Sequence, residues 1–187
     1  DQALRLRPDY ADALLNRSHG QIALKDYTGA LASCDQLIAL RPDLAPAHSN
    51  RGLVLAALNQ HEAAIASYDQ ALQLQPDYTE ACYNRANACL ALRQYPAAIA
   101  GYTQAIALNE NCAEFYGNRG IAEFESGAYA AAMISYERAL ALQPDYVNAQ
   151  WNKALTCLLQ GDFEQGWPLY EARWRKESVN ALSRDDL

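Results

Sequence analysis

Apolar and small residues recur along this chain at helical spacing, in short blocks separated by polar breaks. Residues 45–78 show the design. Ala45 to Leu58 reads as one helical run, Asn59-Gln60-His61 as a turn, and Glu62 to Leu74 as a second run closed by Pro76. A proline ring cannot extend the helical hydrogen-bond ladder and pushes the preceding residue out of helical geometry, so the second run ends there. Within that run Ala64, Tyr68 and Ala71 fall on one face, and Ala98/Tyr102/Ala105 and Ala132/Tyr136/Ala139 repeat the trio. Small-large-small is a ridge that fits a groove, and Gly52 in the first run lets its partner approach closely. The pattern predicts helices near 11–24, 28–40, 45–58, 62–74, 79–92, 96–108, 113–126, 130–142, 147–160 and 167–177, paired antiparallel. Asp77-x-x-Glu80 and Asn111-x-x-Glu114 read as capping boxes at helix starts.

The blocks obey a period of 34 residues. Pro-Asp followed by Tyr or Leu begins at Pro8, Pro42, Pro76 and Pro144, and the missing member falls at Glu110. Asn16, Asn50, Asn84, Asn118 and Asn152 keep the same register. So do Arg17, Arg51, Arg85, Arg119 and Lys153, each followed by a small residue: Ser18, Gly52, Ala86, Gly120, Ala154. The period divides the chain into repeats at 11–44, 45–78, 79–112, 113–146 and a divergent 147–180, with a polar tail at 181–187. One helix pair cannot bury its faces alone, so stability must come from stacked neighbours. Residues 1–10 match residues 69–78 at eight of ten positions, so the chain is expected to open inside the second helix of a preceding repeat. In the fifth repeat, Gly166-Trp167-Pro168 is expected to interrupt the second helix.

Composition narrows the function classes. Strand formers are scarce and Gly and Pro sparse, which favours helix. A net charge of −7 gives no electrostatic grip on phosphate backbones, so nucleic acid is not an expected partner. No window approaches the ~18 unbroken apolar residues of a membrane span. The five cysteines, Cys34, Cys82, Cys89, Cys112 and Cys157, form no C-x-x-C pair and do not cluster with His19, His48 or His61, so no metal site is expected. Asp1-Gln2-Ala3 does not read as a signal peptide, and scattered thiols suit a reducing compartment, which makes the cytoplasm the expected location. No glycine-rich phosphate loop, Ser-His-Asp grouping or paired carboxylate stands out, so neither catalytic residues nor cofactors are expected.

The period, the small residue of the first run, the Ala/Tyr/Ala trio, the aromatics Tyr27, Tyr95, Tyr129 and Phe163 opening the second runs, and the closing proline together resemble the tetratricopeptide-repeat family. Departures are Cys34 and Leu37 in the trio of the first full repeat, and Glu123 in a usually apolar slot, where Arg119 one turn earlier could pair with it. The resemblance implies an all-α, right-handed solenoid with first helices lining a concave groove, and a scaffold that binds an extended peptide or partner protein. On that reading Asn16, Asn50, Asn84, Asn118 and Asn152 form a ladder in the groove, joined by Tyr83 and Asn87. An amide offers a donor and an acceptor, so it can hold a peptide backbone without reading its sequence. First helices lie roughly 10 Å apart and an extended chain advances about 3.3 Å per residue, so one Asn would meet about every third ligand residue. The alternative is a packing role for these amides. For the Arg/Lys series, the expectation is pairing with Asp35, Asp69, Glu137 and Glu171 on second helices rather than with an acidic ligand. Clamps for the C-terminal carboxylate of chaperones need Lys and Arg near the starts of first helices; here those places hold Asp12, Pro46, Glu80, Glu114 and Asn148, which argues against that ligand.

The run from Gln160 to Arg175 also resembles the junction of bacterial proteins that join such repeats to a C-terminal glycosyltransferase-like domain. That resemblance implies a second role: a non-catalytic acceptor-recognition arm, with a catalytic domain beyond Leu187 as an intramolecular partner. Trp167, Tyr170 and Trp174 could equally seal the end of the core as an aromatic cap.

Overall fold

The computed structural model describes residues 9–170. Among these the chain is entirely helical: α1 (Asp9–Ala23), α2 (Tyr27–Leu40), α3 (Ala45–Ala57), α4 (His61–Leu74), α5 (Thr79–Ala91), α6 (Tyr95–Leu108), α7 (Ala113–Glu125), α8 (Tyr129–Leu142), α9 (Val147–Leu159) and α10 (Phe163–Tyr170). Odd-numbered helices are the first, and even-numbered the second, of each repeat. The chain divides into two compact units, Asp1–Gly101 and Tyr102–Leu187.

The turn inside each repeat is periodic too. Lys25, Asn59, Arg93, Gly127 and Gly161 all take a left-handed backbone, with φ between 58° and 84°. The next peptide N–H then reaches back six residues' span to a helix carbonyl: Asp26 to Gln21, Gln60 to Leu55, Gln94 to Cys89, Ala128 to Glu123 and Asp162 to Cys157, at 2.8–2.9 Å. This satisfies carbonyls that the helix end would otherwise leave open. The reversal starts one residue before the polar break in the sequence, so first helices close and second helices open one residue earlier than the pattern predicts. Only glycine takes this backbone without a Cβ clash. Arg93→Gly, at an exposed site with φ 58°, is therefore expected to raise stability by about 0.5–1 kcal/mol in a urea melt; a loss would show that Arg93 holds the turn by its side chain.

Two helix caps and one helix start differ from expectation. The N-caps of α5 and α7 are Tyr78 and Cys112, without a side-chain cap bond, so Asp77 and Asn111 stand one residue too early to close a capping box. Tyr78 takes the cap position because its ring packs on the core of Ala64, Tyr68, Ala71 and Ala81. Side-chain caps form instead at second helices: Asp26 accepts from the Gly29 N–H at 3.0 Å and Asp162 from the Gln165 N–H at 3.1 Å. With Asp162 as cap, α10 opens at Phe163 and runs through Gly166-Trp167-Pro168 without the interruption expected there, four residues ahead of the predicted start at 167. Gly166 is there for close approach: a Cβ would stand 2.6 Å from Leu158 Cδ2. Pro168 lies inside this helix and is exposed. The predicted stretch 171–177 lies outside the described residues.

Side-chain size is matched across each helix pair. In the first unit a Cβ on Gly52 would meet the Tyr68 ring at 2.7–2.9 Å, and in the second a Cβ on Gly120 would meet the Tyr136 ring at 2.5–3.0 Å. Both rings are fully buried. In the first repeat, where the ring is replaced by Cys34, the opposing small residue grows to Ser18, which hydrogen-bonds the thiol. In the third, Ala86 faces Gly101, whose added Cβ would lie 2.9 Å from the alanine methyl. Each large residue sits over a vacancy of matching size, as close packing demands.

Candidate functional site

Asn16 (α1), Asn50 (α3), Asn84 (α5), Asn118 (α7) and Asn152 (α9) occupy the same turn of each first helix. Their surroundings are not equal. Asn16 is exposed, whereas Asn84, Asn118 and Asn152 are half-buried. Asn50 is 7% exposed and donates through Nδ2 to the Ser18 hydroxyl of the neighbouring first helix at 3.1 Å. That bond depends on a hydroxyl in the small-residue series, which offers one only at Ser18. Asn50 therefore has a packing role.

Tyr83 and Asn87 flank Asn84 on α5 and are half-buried. Asn84 and Asn87 line a cavity of about 180 Å³ together with Leu53, Ala56 and Ala88. Two side chains that the sequence reading placed in a turn and in the core, not at the site, complete its wall: His61 and Tyr68. The signal for His61 was present: it stands where Tyr27, Tyr95, Tyr129 and Phe163 open the other second helices.

The basic series reaches across helices. Arg51 pairs with Asp35 at 2.8 Å and donates to Ser67 at 2.9 Å; Arg85 pairs with Asp69; Lys153 pairs with Glu137 at 3.0 Å. In each pair a first helix is tied to the second helix of the preceding repeat. The expected partner Glu171 lies outside the described residues. Arg17 instead donates to Ser33 and Gln36, at 2.9 and 3.0 Å. These exposed or half-exposed links are each worth roughly 0.2–1 kcal/mol. The Arg51–Asp35 pair lines an open depression of about 400 Å³, so its charge is already met by a carboxylate there.

Glu123 departs from this surface pattern. It is 7% exposed, lies 3.4 Å from Arg119, and accepts from the Ser135 hydroxyl at 2.6 Å. Arg119 also donates to Ser135 at 3.0 Å, closing a three-membered polar network. The first repeat carries its neutral counterpart: Arg17 donates to Ser33, which donates to Gln21 at 2.6 Å.

All five cysteines are free, with Cys112 half-buried and the rest buried. Burial pushes the Cys34 thiol up to about 11 and raises Cys82, Cys89 and Cys157 as well, which keeps them as protonated, weakly nucleophilic fillers. Among the described residues no group of His, Cys, Asp and Glu is arranged to hold a metal ion, and no helix is long and apolar enough to cross a membrane.

A tetratricopeptide-repeat profile matches residues 45–78, and a second profile of the same description matches 83–146 and 135–176. The chain belongs to the tetratricopeptide-repeat family. Its fold is shared by solved structures of low sequence identity. A crystal structure of MamA superposes with a TM-score of 0.80 at 21% identity, covering 88% of this chain and 96% of that one. MamA from Desulfovibrio magneticus RS-1, residue 41 to its end, gives 0.83 at 18% identity, covering 91% and 97%. YrrB, a tetratricopeptide-repeat protein with an unusual peptide-binding site, gives 0.78 at 19% identity, covering 100% and 97%. Among curated proteins none matches this chain significantly.

Proposed function

We propose that this chain is a non-catalytic interaction scaffold that binds an extended peptide along its first helices. The observation that carries the reading is the amide repeated at one position of successive first helices and left partly accessible at Asn84, Asn118 and Asn152. YrrB, of the same fold, is by its description a peptide binder. The acidic side chains of Asp12, Glu80 and Glu114 are exposed on first helices and oppose a terminal carboxylate, so the ligand is held by its backbone rather than by its end. Asn50, committed to Ser18, contributes to the scaffold rather than to the ligand.

Each amide that holds a backbone group contributes roughly 0.5–1.5 kcal/mol net, so single Asn84→Ala, Asn118→Ala or Asn152→Ala changes should weaken a peptide selected from a random library only a few-fold. The triple variant should lose at least about tenfold, with an unchanged circular dichroism spectrum, and similarly for peptides of different sequence. Undiminished binding would remove the amides from the site. Unfolding of the triple variant would give them the packing role of Asn50.

A second reading is favoured by the aromatic end of the second unit. Trp151 stacks on Tyr170 with centroids 4.9 Å apart, Trp167 meets Tyr170 edge-on at 5.8 Å, and Phe163 and Trp167 remain more than half exposed. Such a surface suits a following domain, and the resemblance of residues 160–175 suggests a glycosyltransferase that uses the repeats to recognise its acceptor. A sugar-nucleotide-binding α/β pattern in the gene downstream of Leu187 would support this; a stop codon or a further run of repeats would overturn it.

A further inference from the structure

The cavity between α3, α4 and α5 of the first unit carries two unmet polar groups. Tyr68 is fully buried, lines the cavity, and its hydroxyl has no hydrogen-bond partner. His61 lines the same cavity, and its Nδ1 is likewise buried without a partner. A buried polar atom left unpaired is costly, so native structures seldom keep one without a use. Two stand in the wall of one cavity, which the amides of Asn84 and Asn87 and the apolar side chains of Leu53, Ala56 and Ala88 also line. Ligand pockets are built this way: mostly apolar, with a few convergent polar groups.

Size and chemistry narrow the occupant. A water molecule needs about 10–15 Å³ of such space, so the 180 Å³ available is far more than one water fills and suits an amino-acid side chain. No charged side chain lines the cavity, so a carboxylate or an ammonium would be buried there without a counter-charge. Burial raises the Tyr68 phenol, which keeps its proton and leaves it a donor. Neutral imidazole with its proton on Nε2 offers Nδ1 as an acceptor. The neutral side chain that supplies an acceptor and a donor from two atoms on one carbon is the primary carboxamide.

The geometry points to a specificity pocket, formed by His61, Tyr68, Asn84 and Asn87, that takes one glutamine or asparagine side chain of the bound peptide. The amide oxygen accepts from the Tyr68 hydroxyl and the amide N–H donates to His61 Nδ1. The asparagine side-chain amides of the scaffold would then be blind to the ligand's sequence, and this pocket would select one residue of it. The proposal rests on the peptide-scaffold reading above. It also accounts for the odd histidine: tyrosine or phenylalanine at that position, as in the other repeats, offers no nitrogen acceptor.

The test is selection of a random linear peptide library against the full chain and two variants. His61→Tyr restores the residue of the sister repeats, and Tyr68→Phe removes only the hydroxyl. Wild-type binders should share a Gln or Asn at one register. Replacing it by Glu or Leu should weaken binding at least about fivefold, the worth of one typical hydrogen bond. Both variants should still bind peptides but lose the preference, and the melting temperature of Tyr68→Phe should not fall, because the hydroxyl has no partner in the free protein. Binders without an amide preference, or a preference retained in both variants, would overturn the pocket while leaving the scaffold reading in place. A marked fall in melting temperature for Tyr68→Phe would show that its hydroxyl serves the fold, and would overturn the pocket too. A library that yields no binders would overturn the scaffold reading and the pocket together.

Discussion

Glu123→Ala is expected to lower the unfolding free energy by about 3–5 kcal/mol, the usual consequence of removing one partner of a buried ion pair. The carboxylate is buried, bridges Arg119 and Ser135, and stands in a slot that Leu55, Cys89 and Cys157 fill in other repeats. Truncation leaves the Arg119 side chain, only 19% exposed, and the Ser135 hydroxyl without their shared acceptor. Glu123→Gln should be far milder, because Gln21 already performs this role between Arg17 and Ser33 in the first repeat. Thermal or urea melts of the two variants decide the matter. Equal losses for Ala and Gln would show that the charge, not the hydrogen-bonded bridge, is what Arg119 needs; no loss for Ala would remove the network from the stability of the fold.

Gly120→Ala is expected to destabilise by roughly 1–3 kcal/mol, against the direction of helix propensity, which favours alanine over glycine by about 1 kcal/mol. The new methyl would fall within 2.5–3.0 Å of the Tyr136 ring, and that ring is enclosed on all sides with nowhere to retreat. Gly127→Ala should also destabilise, through its left-handed φ of 84° rather than by contact, since no atom lies near its Cβ position. The two losses separate by rescue. Tyr136→Phe, which keeps the ring, should leave the Gly120→Ala defect in place, whereas Tyr136→Cys, the pairing Ser18 makes with Cys34, should relieve part of it. A neutral or stabilising Gly120→Ala would mean that α7 and α8 pack less closely than described.

Much of this protein is legible from spacing alone. Helices follow from contacts three and four residues apart, so the apolar trios and the prolines locate them, and the period of 34 places the pairs. Even the ties from Arg51, Arg85 and Lys153 to Asp35, Asp69 and Glu137 can be read, because they join constant positions of adjacent repeats. What the pattern misplaced are features that hang on a single residue's register or on a partner outside the period. The starts of α5 and α7 fall where the period puts them, but the capping residue is displaced by one, because Tyr78 and Cys112, not the polar residues before them, hold the cap positions. The start of α10 was misread because glycine and proline look alike as helix breakers, while Gly166 answers to the bulk of Leu158.

The candidate site divides the same way. The sequence by itself determined which residues stand at equivalent places: an amide on every first helix, an aromatic at the start of most second helices, a small residue opposite a ring. The tertiary structure alone decided what each equivalent residue meets. Asn50 found Ser18 and is spoken for, while Asn84 borders a cavity closed by His61 and Tyr68. The physical reason is that periodicity constrains direction, which is local, whereas the pairing of a polar group depends on atoms delivered by other helices, and in each repeat those atoms differ.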